Sequence, residues 1–229
     1  MATSTLNVEK LCDDFSKKNN VTKKEKNKMA SPPIAELKQD ESKVTNRGTG
    51  AGGANTNKNG KAFEKKTDII PILLSNGFIK KDIVKYKIVY YTKSIDSKEY
   101  YFFTQGNLKK YLKMTYKKDI CRYPDEAMLI KEGDTFILKI LEKKNQNCEG
   151  SVIDKLCNGG YFIKEYTMCL GDKFNVEYSF CLSKFLRKKY VSDEPKFIIM
   201  RKLHTDDNIK VYYGDDSDYF NKIKEYFNC

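Results

Sequence analysis

Short apolar segments separated by lysine-rich and asparagine-rich stretches run along most of this chain, and their periods change from one segment to the next. Alternating apolar and polar residues, rich in Tyr, Val and Ile, predict strands at 82–92 and 99–104. Further strands are predicted at 121–130, 135–144, 174–180, 196–200 and 209–213. Helical patterns cover 61–74, 107–115, 150–158, 183–190 and 217–227. This mixture predicts one α/β or α+β domain, with strands and helices packed in layers.

The first 45 residues differ from the rest of the chain. Large apolar residues are rare there, lysine and asparagine dominate 13–29, and Ser31-Pro32-Pro33 would interrupt any helix. We therefore predict a flexible basic arm over 1–45, with one short helix near 6–15, and a folded domain over 46–229. The arm also lacks the apolar core of a signal peptide, which predicts an intracellular protein.

The chain is basic, with 43 Lys and Arg against 31 Asp and Glu and a formal net charge of +12. Residues 1–50 carry 10 basic and 7 acidic side chains, so most of the excess belongs to the folded part. Such an excess predicts attraction to polyanions such as nucleic acid. No apolar run is long enough to span a membrane, so no membrane partner is expected.

Histidine and cysteine usage narrows the possible chemistry. The single histidine, His204, cannot supply a histidine-rich metal site or the paired histidines of a phospholipase-D-like nuclease. Seven cysteines without a C-x-x-C pair argue against a zinc site or a disulfide framework, and we expect most of them to be buried. Any metal should therefore be a hard cation held by carboxylates.

A glycine-rich segment at 48–60 suggests a phosphate-binding loop at first sight. The Walker pattern needs Gly-Lys followed by Ser or Thr, whereas Gly60-Lys61 is followed by Ala62, and no strand precedes the glycines. A nucleotide or other small-molecule cofactor is thus not expected. Flexible Arg and Asn side chains of this segment could instead enter a DNA groove: Arg47, Asn55, Asn57 and Asn59.

The segment 122–144 carries the most chemical information. Two apolar strands flank Gly133-Asp134, which suits a two-residue hairpin turn with glycine first. Counting outward from that turn places Asp125 opposite Glu142, with side chains close enough to bind one divalent ion. Lys144 follows Glu142 by two residues and points to the same side of the strand. On spacing alone, a surface hairpin with solvated charges remains an alternative.

Two carboxylates and an ammonium suit the hydrolysis of a phosphodiester. A divalent cation there would neutralise charge on the phosphate and lower the pKa of a bound water. The lysine could orient that water and stabilise the transition state. A serine or cysteine nucleophile would need a nearby base, and the only histidine lies in a different region of the chain.

These residues resemble a known nuclease signature. Pro124-Asp125 followed by Glu142-Lys143-Lys144 is similar to the P-D…E-x-K pattern of the PD-(D/E)XK superfamily. Gln146, Gly150-Ser151 and Asp154-Lys155 extend the likeness to type II restriction endonucleases of that superfamily. The segment 48–67 and the lysine- and asparagine-rich composition are most similar to restriction enzymes of large algal DNA viruses. The resemblance implies a restriction-endonuclease-like core, a mixed β-sheet flanked by helices.

The resemblance also implies roles for individual residues. Asp125 and Glu142 become metal ligands, Lys144 the catalytic lysine, and Glu64 an auxiliary ligand for Mg²⁺, which Mn²⁺ could replace. Gln146 would contact either a metal ligand or the DNA backbone. Basic residues on predicted helices could reach phosphates, although ordinary solvated helix faces would look the same: Lys109, Lys110, Lys155, Arg187 and Lys188.

Three further residues are expected to have no chemical role. Glu126 and Lys143 each point away from the proposed site, and Glu126 is expected to be solvated. His204, beside Thr205-Asp206, is expected to be a structural residue in a turn.

The expected function is that of a Mg²⁺-dependent type II restriction endonuclease, which would bind double-stranded DNA as a homodimer. If the chain is viral, association with the virion is also open. Two alternatives stay open on the residues alone. One is a structure-specific repair or recombination nuclease, and the other is a basic DNA-binding protein without catalysis.

Overall fold

The computed structural model describes residues 54–146 and 151–229, with side chains described from Gly60 onward. The described residues form seven strands and eight α-helices. The helices are α1 (Ala54–Lys66), α2 (Ile70–Ser75), α3 (Asn107–Tyr116), α4 (Val152–Leu156), α5 (Gly159–Leu170), α6 (Lys184–Tyr190), α7 (Pro195–Asp206) and α8 (Tyr219–Phe227). The strands are β1 (Ile79–Ile83), β2 (Ile88–Ile95), β3 (Lys98–Thr104), β4 (Glu126–Glu132), β5 (Thr135–Lys144), β6 (Phe174–Leu182) and β7 (Lys210–Tyr213).

The strands form one mixed sheet in sequence order, from β1 to β7. Strands β1 to β5 form an antiparallel meander, whereas β5, β6 and β7 run parallel to one another. The two parallel connections carry helices α4 and α5, and then α6 and α7, as parallel pairing requires. The predicted mixed α/β class is confirmed.

Helices cover both faces of the sheet. One hydrophobic cluster contains residues of the five helices α3 through α7 and alternate strand residues such as Leu138, Ile140 and Tyr178. We call this side of the sheet the five-helix face. The other cluster joins α1, α2 and α8 with Met128 and Leu141, and we call it the three-helix face. Successive side chains of a strand point to opposite faces of the sheet. Since helices cover both faces, consecutive residues of β4 and β5 are buried.

The β4–β5 hairpin has the predicted register. Glu132 pairs with Thr135, and pairing continues to Glu126 opposite Leu141. Gly133 has φ +57°, a left-handed conformation that glycine adopts without a Cβ clash, so it suits the first position of the two-residue turn.

Several predicted elements differ from the structure. The helix predicted at 61–74 is two helices, because Pro71 lies in the first turn of a new one. The strand predicted at 196–200 is part of α7, and the predicted helix 150–158 is followed by α5, which was not predicted. The segment 121–125 is irregular rather than part of β4, and a 3-10 turn at Val84–Tyr86 separates β1 from β2.

Two further expectations concern the arm and membranes. The arm over 1–45, its short helix near 6–15 and Arg47 lie outside the described residues, as do the side chains of Asn55, Asn57 and Asn59. Within the described ranges, none of the helices combines the length and the apolar character needed to cross a membrane.

Candidate active site

The candidate site lies where β4 begins and β5 ends. Asp125 immediately precedes β4, and continuing the register by one pair beyond Glu126 and Leu141 places it opposite Glu142. Glu142 and Lys144 continue the series of every second residue begun by Leu138 and Ile140, so their side chains lie toward the same five-helix face. The structure therefore brings together the three residues predicted from the spacing.

Short polar contacts hold these three side chains. The Lys143 amide donates to Oδ2 of Asp125 at 2.7 Å, which fixes that carboxylate against the neighbouring strand. Lys144 Nζ donates to Oε1 of Glu142 at 2.6 Å. The side chains of Lys144 and Glu142 are 18% and 20% exposed, so both are reachable from solvent but partly desolvated. Such a half-buried arrangement strengthens electrostatic interactions with a bound ligand.

The electrostatic environment disfavours a second negative charge. Burial, and then the charge of Glu142, raises the pKa of Asp125 from 3.8 to about 6, against the opposing effects of Lys144 and the Lys143 amide. Two carboxylates that repel each other in a partly buried site bind a cation favourably, because the cation removes the repulsion.

Two carboxylates also match the usual protein contribution to a Mg²⁺ site, in which substrate phosphate and water complete the coordination. Among the residues that the structure describes, no three carboxylate, histidine or cysteine side chains are grouped to hold one metal ion. The donor set that fits Mg²⁺ here is therefore the pair Asp125 and Glu142.

Glu64 occupies a different position from its predicted partners. It projects from α1 on the three-helix face, into a cleft of about 520 Å³ whose described lining includes Asp125, Asp68 and Glu126. Its charge still contributes to the raised pKa of Asp125. Glu64 and Asp125 thus line the same cleft, whose described lining does not include Glu142.

A buried ion pair lies directly behind the site, and it contradicts the expectation that Glu126 is solvated. Lys143 Nζ contacts Oε1 of Glu126 at 2.6 Å, with side chains 3% and 4% exposed. Lys143 also donates to the carbonyls of Thr67 at 2.9 Å and Glu64 at 3.4 Å. The pair therefore ties the end of α1 to β4 and β5. Since 126 and 143 alternate with 125 and 142, it fixes the strands that carry the site.

The buried glutamate is only partly satisfied. Burial raises the pKa of Glu126, and Lys143 opposes that rise. Oε2 of Glu126 has no hydrogen-bond partner among the described residues, although the Ile69 amide lies close enough to lower the pKa slightly. The carboxylate depends on Lys143 for its charge compensation, so the two side chains act as one structural unit.

The four residues predicted to contact DNA differ from one another in burial and in hydrogen-bond and ion-pair partners. Gln146 follows β5, and its backbone exchanges hydrogen bonds with the Ser183 hydroxyl at 3.4 and 3.3 Å. Its Oε1 is buried without a hydrogen-bond partner among the described residues. Lys155 and Lys188 are exposed, whereas Arg187 is ion-paired to Asp216 and stacks on the Tyr213 ring at 4.5 Å.

The Ser183 contact also positions helix α6. The Ser183 amide donates to the Lys144 carbonyl at 3.0 Å, so α6 begins beside the end of β5. Its exposed basic residues therefore lie near the end of β5 that carries Glu142 and Lys144.

Sequence reasoning missed the residues that enclose the site on the five-helix face. Tyr166 from α5 and Tyr178 from β6 are buried, and the pKa of each is raised by burial and by the charge of Glu142. Both phenols therefore stay protonated next to the carboxylates. Tyr178 could have been placed from the β6 pattern, but Tyr166 depends on α5, which the sequence did not reveal.

Arg122 is a second missed residue, three positions before Asp125. Its guanidinium donates to Glu165 of α5 and lies 4.2 Å from the centre of the Phe162 ring. This contact holds the irregular segment that leads into the site against α5.

His204 is structural, as predicted, but lies in α7 rather than in a turn. It is buried, with Nε2 2.8 Å from the Leu156 carbonyl and Nδ1 3.0 Å from the Tyr190 hydroxyl. A neutral imidazole that donates from Nε2 and accepts at Nδ1 satisfies both contacts, and burial lowers its pKa. It therefore takes no part in the site.

The arrangement can bind a divalent cation between two carboxylates and present a lysine ammonium to a phosphate or a water molecule beside it. Comparisons of the chain with models of protein families, with curated proteins and with solved structures found no match.

Proposed function

We propose that this chain is a Mg²⁺-dependent endonuclease that hydrolyses phosphodiester bonds in double-stranded DNA at a short specific site. The observation that carries the proposal is the register that sets Asp125 opposite Glu142, with Lys144 Nζ 2.6 Å from Glu142. The resemblance to PD-(D/E)XK restriction endonucleases predicts the same three residues, and the mixed sheet flanked by helices is compatible with the core expected of that superfamily.

The residues of the chain divide the chemistry among them. Asp125 and Glu142 would hold Mg²⁺, which when bound neutralises phosphate charge and acidifies a water molecule. Lys144, which now contacts Glu142, has donors to orient the attacking water and to stabilise charge on the phosphate oxygens. Asp125 keeps its carboxylate aligned through the Lys143 amide.

Buried side chains support the site from both faces of the sheet. Tyr166 and Tyr178 form a buried wall on the five-helix face, which excludes bulk water from that side. The Glu126–Lys143 pair holds the two strands from the three-helix face. The side chains that do the chemistry are therefore preorganised, which lowers the cost of reaching the transition state.

Several features support DNA as the substrate. The described domain belongs to a chain of net charge +12, and the basic helix α6 begins beside Lys144. Gln146 offers a buried acceptor without a partner among the described residues, which a ligand donor could satisfy. A homodimer would present two such sites to the two antiparallel strands of a duplex.

Digestion of a long DNA with Mg²⁺, followed by sequencing of the ends, tests the proposal. Discrete fragments with a common end sequence are expected, and Lys144→Ala should reduce the cleavage rate by about 100-fold or more while DNA binding persists. Lys173→Ala, which removes an exposed lysine in the turn before β6, is the matched control and should cleave normally.

The other outcomes separate the alternatives. Cleavage confined to branched or flapped substrates would point to a repair nuclease. Binding without cleavage in either Mg²⁺ or Mn²⁺ would refute both nuclease functions and leave a non-catalytic DNA-binding protein.

A further inference from the structure

The cysteines are less buried than the composition suggests. Of the five described cysteines only Cys181 is buried, Cys121 and Cys157 are exposed, and Cys169 and Cys229 are intermediate, so the expectation of mostly buried cysteines is wrong. Cys121 and Cys169 are separated by 48 residues in sequence, yet their Sγ atoms lie 3.6 Å apart. Two thiols in contact at an accessible surface can be joined with little movement.

The surroundings hold these two cysteines in place. Cys121 lies in the irregular segment before β4, and Cys169 lies near the end of α5. The next residue of that segment, Arg122, is bound to Glu165, which is one helical turn before Cys169 on the same side of α5. The contact between the thiols therefore belongs to a docked surface between the segment and the helix.

We propose that Cys121 and Cys169 form a reversible disulfide that fastens the segment before Asp125 to helix α5. The oxidant would be a small-molecule disulfide of the glutathione type. The more exposed Cys121, as thiolate, attacks one sulfur of that disulfide and releases one thiolate. Cys169 then attacks the Cys121 sulfur and releases the second thiolate, which closes the protein disulfide.

The exchange balances in electrons and protons. The two protein thiols lose two electrons and two protons, and the small-molecule disulfide gains both as two thiols. The order of attack follows from exposure, and burial together with the Cys121 contact raises the pKa of Cys169, which disfavours Cys169 as the first attacking thiolate.

The disulfide would restrict a specific part of the chain. It would close a loop that contains the β4–β5 hairpin, α4 and all but the last residue of α5, and would join the segment before Asp125 to the helix that carries Tyr166. Because a cross-link of this span removes conformational freedom mainly from the unfolded chain, the oxidised protein should melt about 5 to 10 °C higher.

The test uses the folded full-length chain incubated with oxidised glutathione, then alkylated and digested for mass spectrometry. The expected product is a linked peptide joining Cys121 to Cys169, with a loss of about 2 Da from the intact mass. The melting temperature should rise on oxidation and return with dithiothreitol. Cys169→Ser should abolish both changes and accumulate glutathione on Cys121, whereas Cys157→Ser, at an exposed cysteine, should behave like the wild type.

Three outcomes would overturn the proposal: both thiols remain open to alkylation after oxidation, Cys121 keeps its glutathione although Cys169 is present, or the linked peptide joins either cysteine to a different partner. These readouts need no DNA cleavage, so they stand apart from the proposed nuclease function.

Discussion

Replacing Asp125 by asparagine should stabilise the folded chain at neutral pH. The asparagine oxygen can still accept the Lys143 amide, while the charge that Glu142 repels is removed. A pKa raised from 3.8 to about 6 corresponds to about 3 kcal/mol of destabilisation once the carboxylate is ionised in both states. Burying an amide costs about 1 kcal/mol, so the net gain should be about 2 kcal/mol.

The sign of the pH dependence follows from the direction of the pKa change. Because the pKa is higher in the folded chain, the protonated Asp125 favours folding below about pH 4, and that contribution is lost as pH rises through about 6. The advantage of Asp125→Asn should therefore be full above about pH 7 and nearly absent near pH 4.

Urea unfolding without divalent cations, measured across that pH range, provides the assay. Asp172→Asn, at an exposed loop position, makes the same change in net charge and should leave stability nearly unchanged. An Asp125→Asn advantage that is constant with pH, or a loss of stability above pH 7, would refute the electrostatic argument.

The remaining predictions concern the metal, the buried pair and two glycines. Mg²⁺ at about ten times its Kd should stabilise the wild type by about 1.4 kcal/mol in thermal unfolding, but not Glu142→Gln; equal stabilisation of both proteins would place the ion elsewhere. Glu126→Leu or Lys143→Met alone should cost about 3 kcal/mol in urea unfolding, and the two together should cost less than either; additive losses would contradict a single structural unit. Gly133→Ala should lower the free energy of unfolding by about 1 kcal/mol, because φ at this position is +57°. Gly60→Ala, inside α1 with open space at its Cβ, should raise it by up to about 1 kcal/mol. The same unfolding measurement tests both variants.

The sequence predicts the hairpin better than its surroundings because the turn chemistry is local. Gly133-Asp134 and the count of residues outward from that turn are enough to set the register, and with it the expected opposition of Asp125 and Glu142. The burial of Glu126 cannot be read in the same way. It depends on α1 covering the other side of the sheet, a contact between residues more than 60 positions apart.

Two of the errors in the predicted elements, at 196–200 and at α5, have a similar origin. The stretch 196–200 is rich in β-branched and aromatic residues, yet Phe197, Met200 and His204 pack at helical spacing against the five-helix cluster, and Pro195 begins the helix. Helix α5 opens with two glycines, which have poor helix propensity, and is held by the burial of Phe162, Tyr166 and Leu170. In both cases tertiary packing outweighs local preference.

The β4–β5 turn influences the site from a distance. It lies seven residues along β4 from Asp125, or about 24 Å, and touches none of the three catalytic candidates. One residue inserted there would rotate β5 by one side-chain position, bring Lys143 to the five-helix face and turn Glu142 and Lys144 into the three-helix core. The length of the turn thus determines which side chains of β5 reach the candidate site. A surface loop would ordinarily accept insertions, but this one should tolerate none, because the loss would appear at the opposite end of the hairpin.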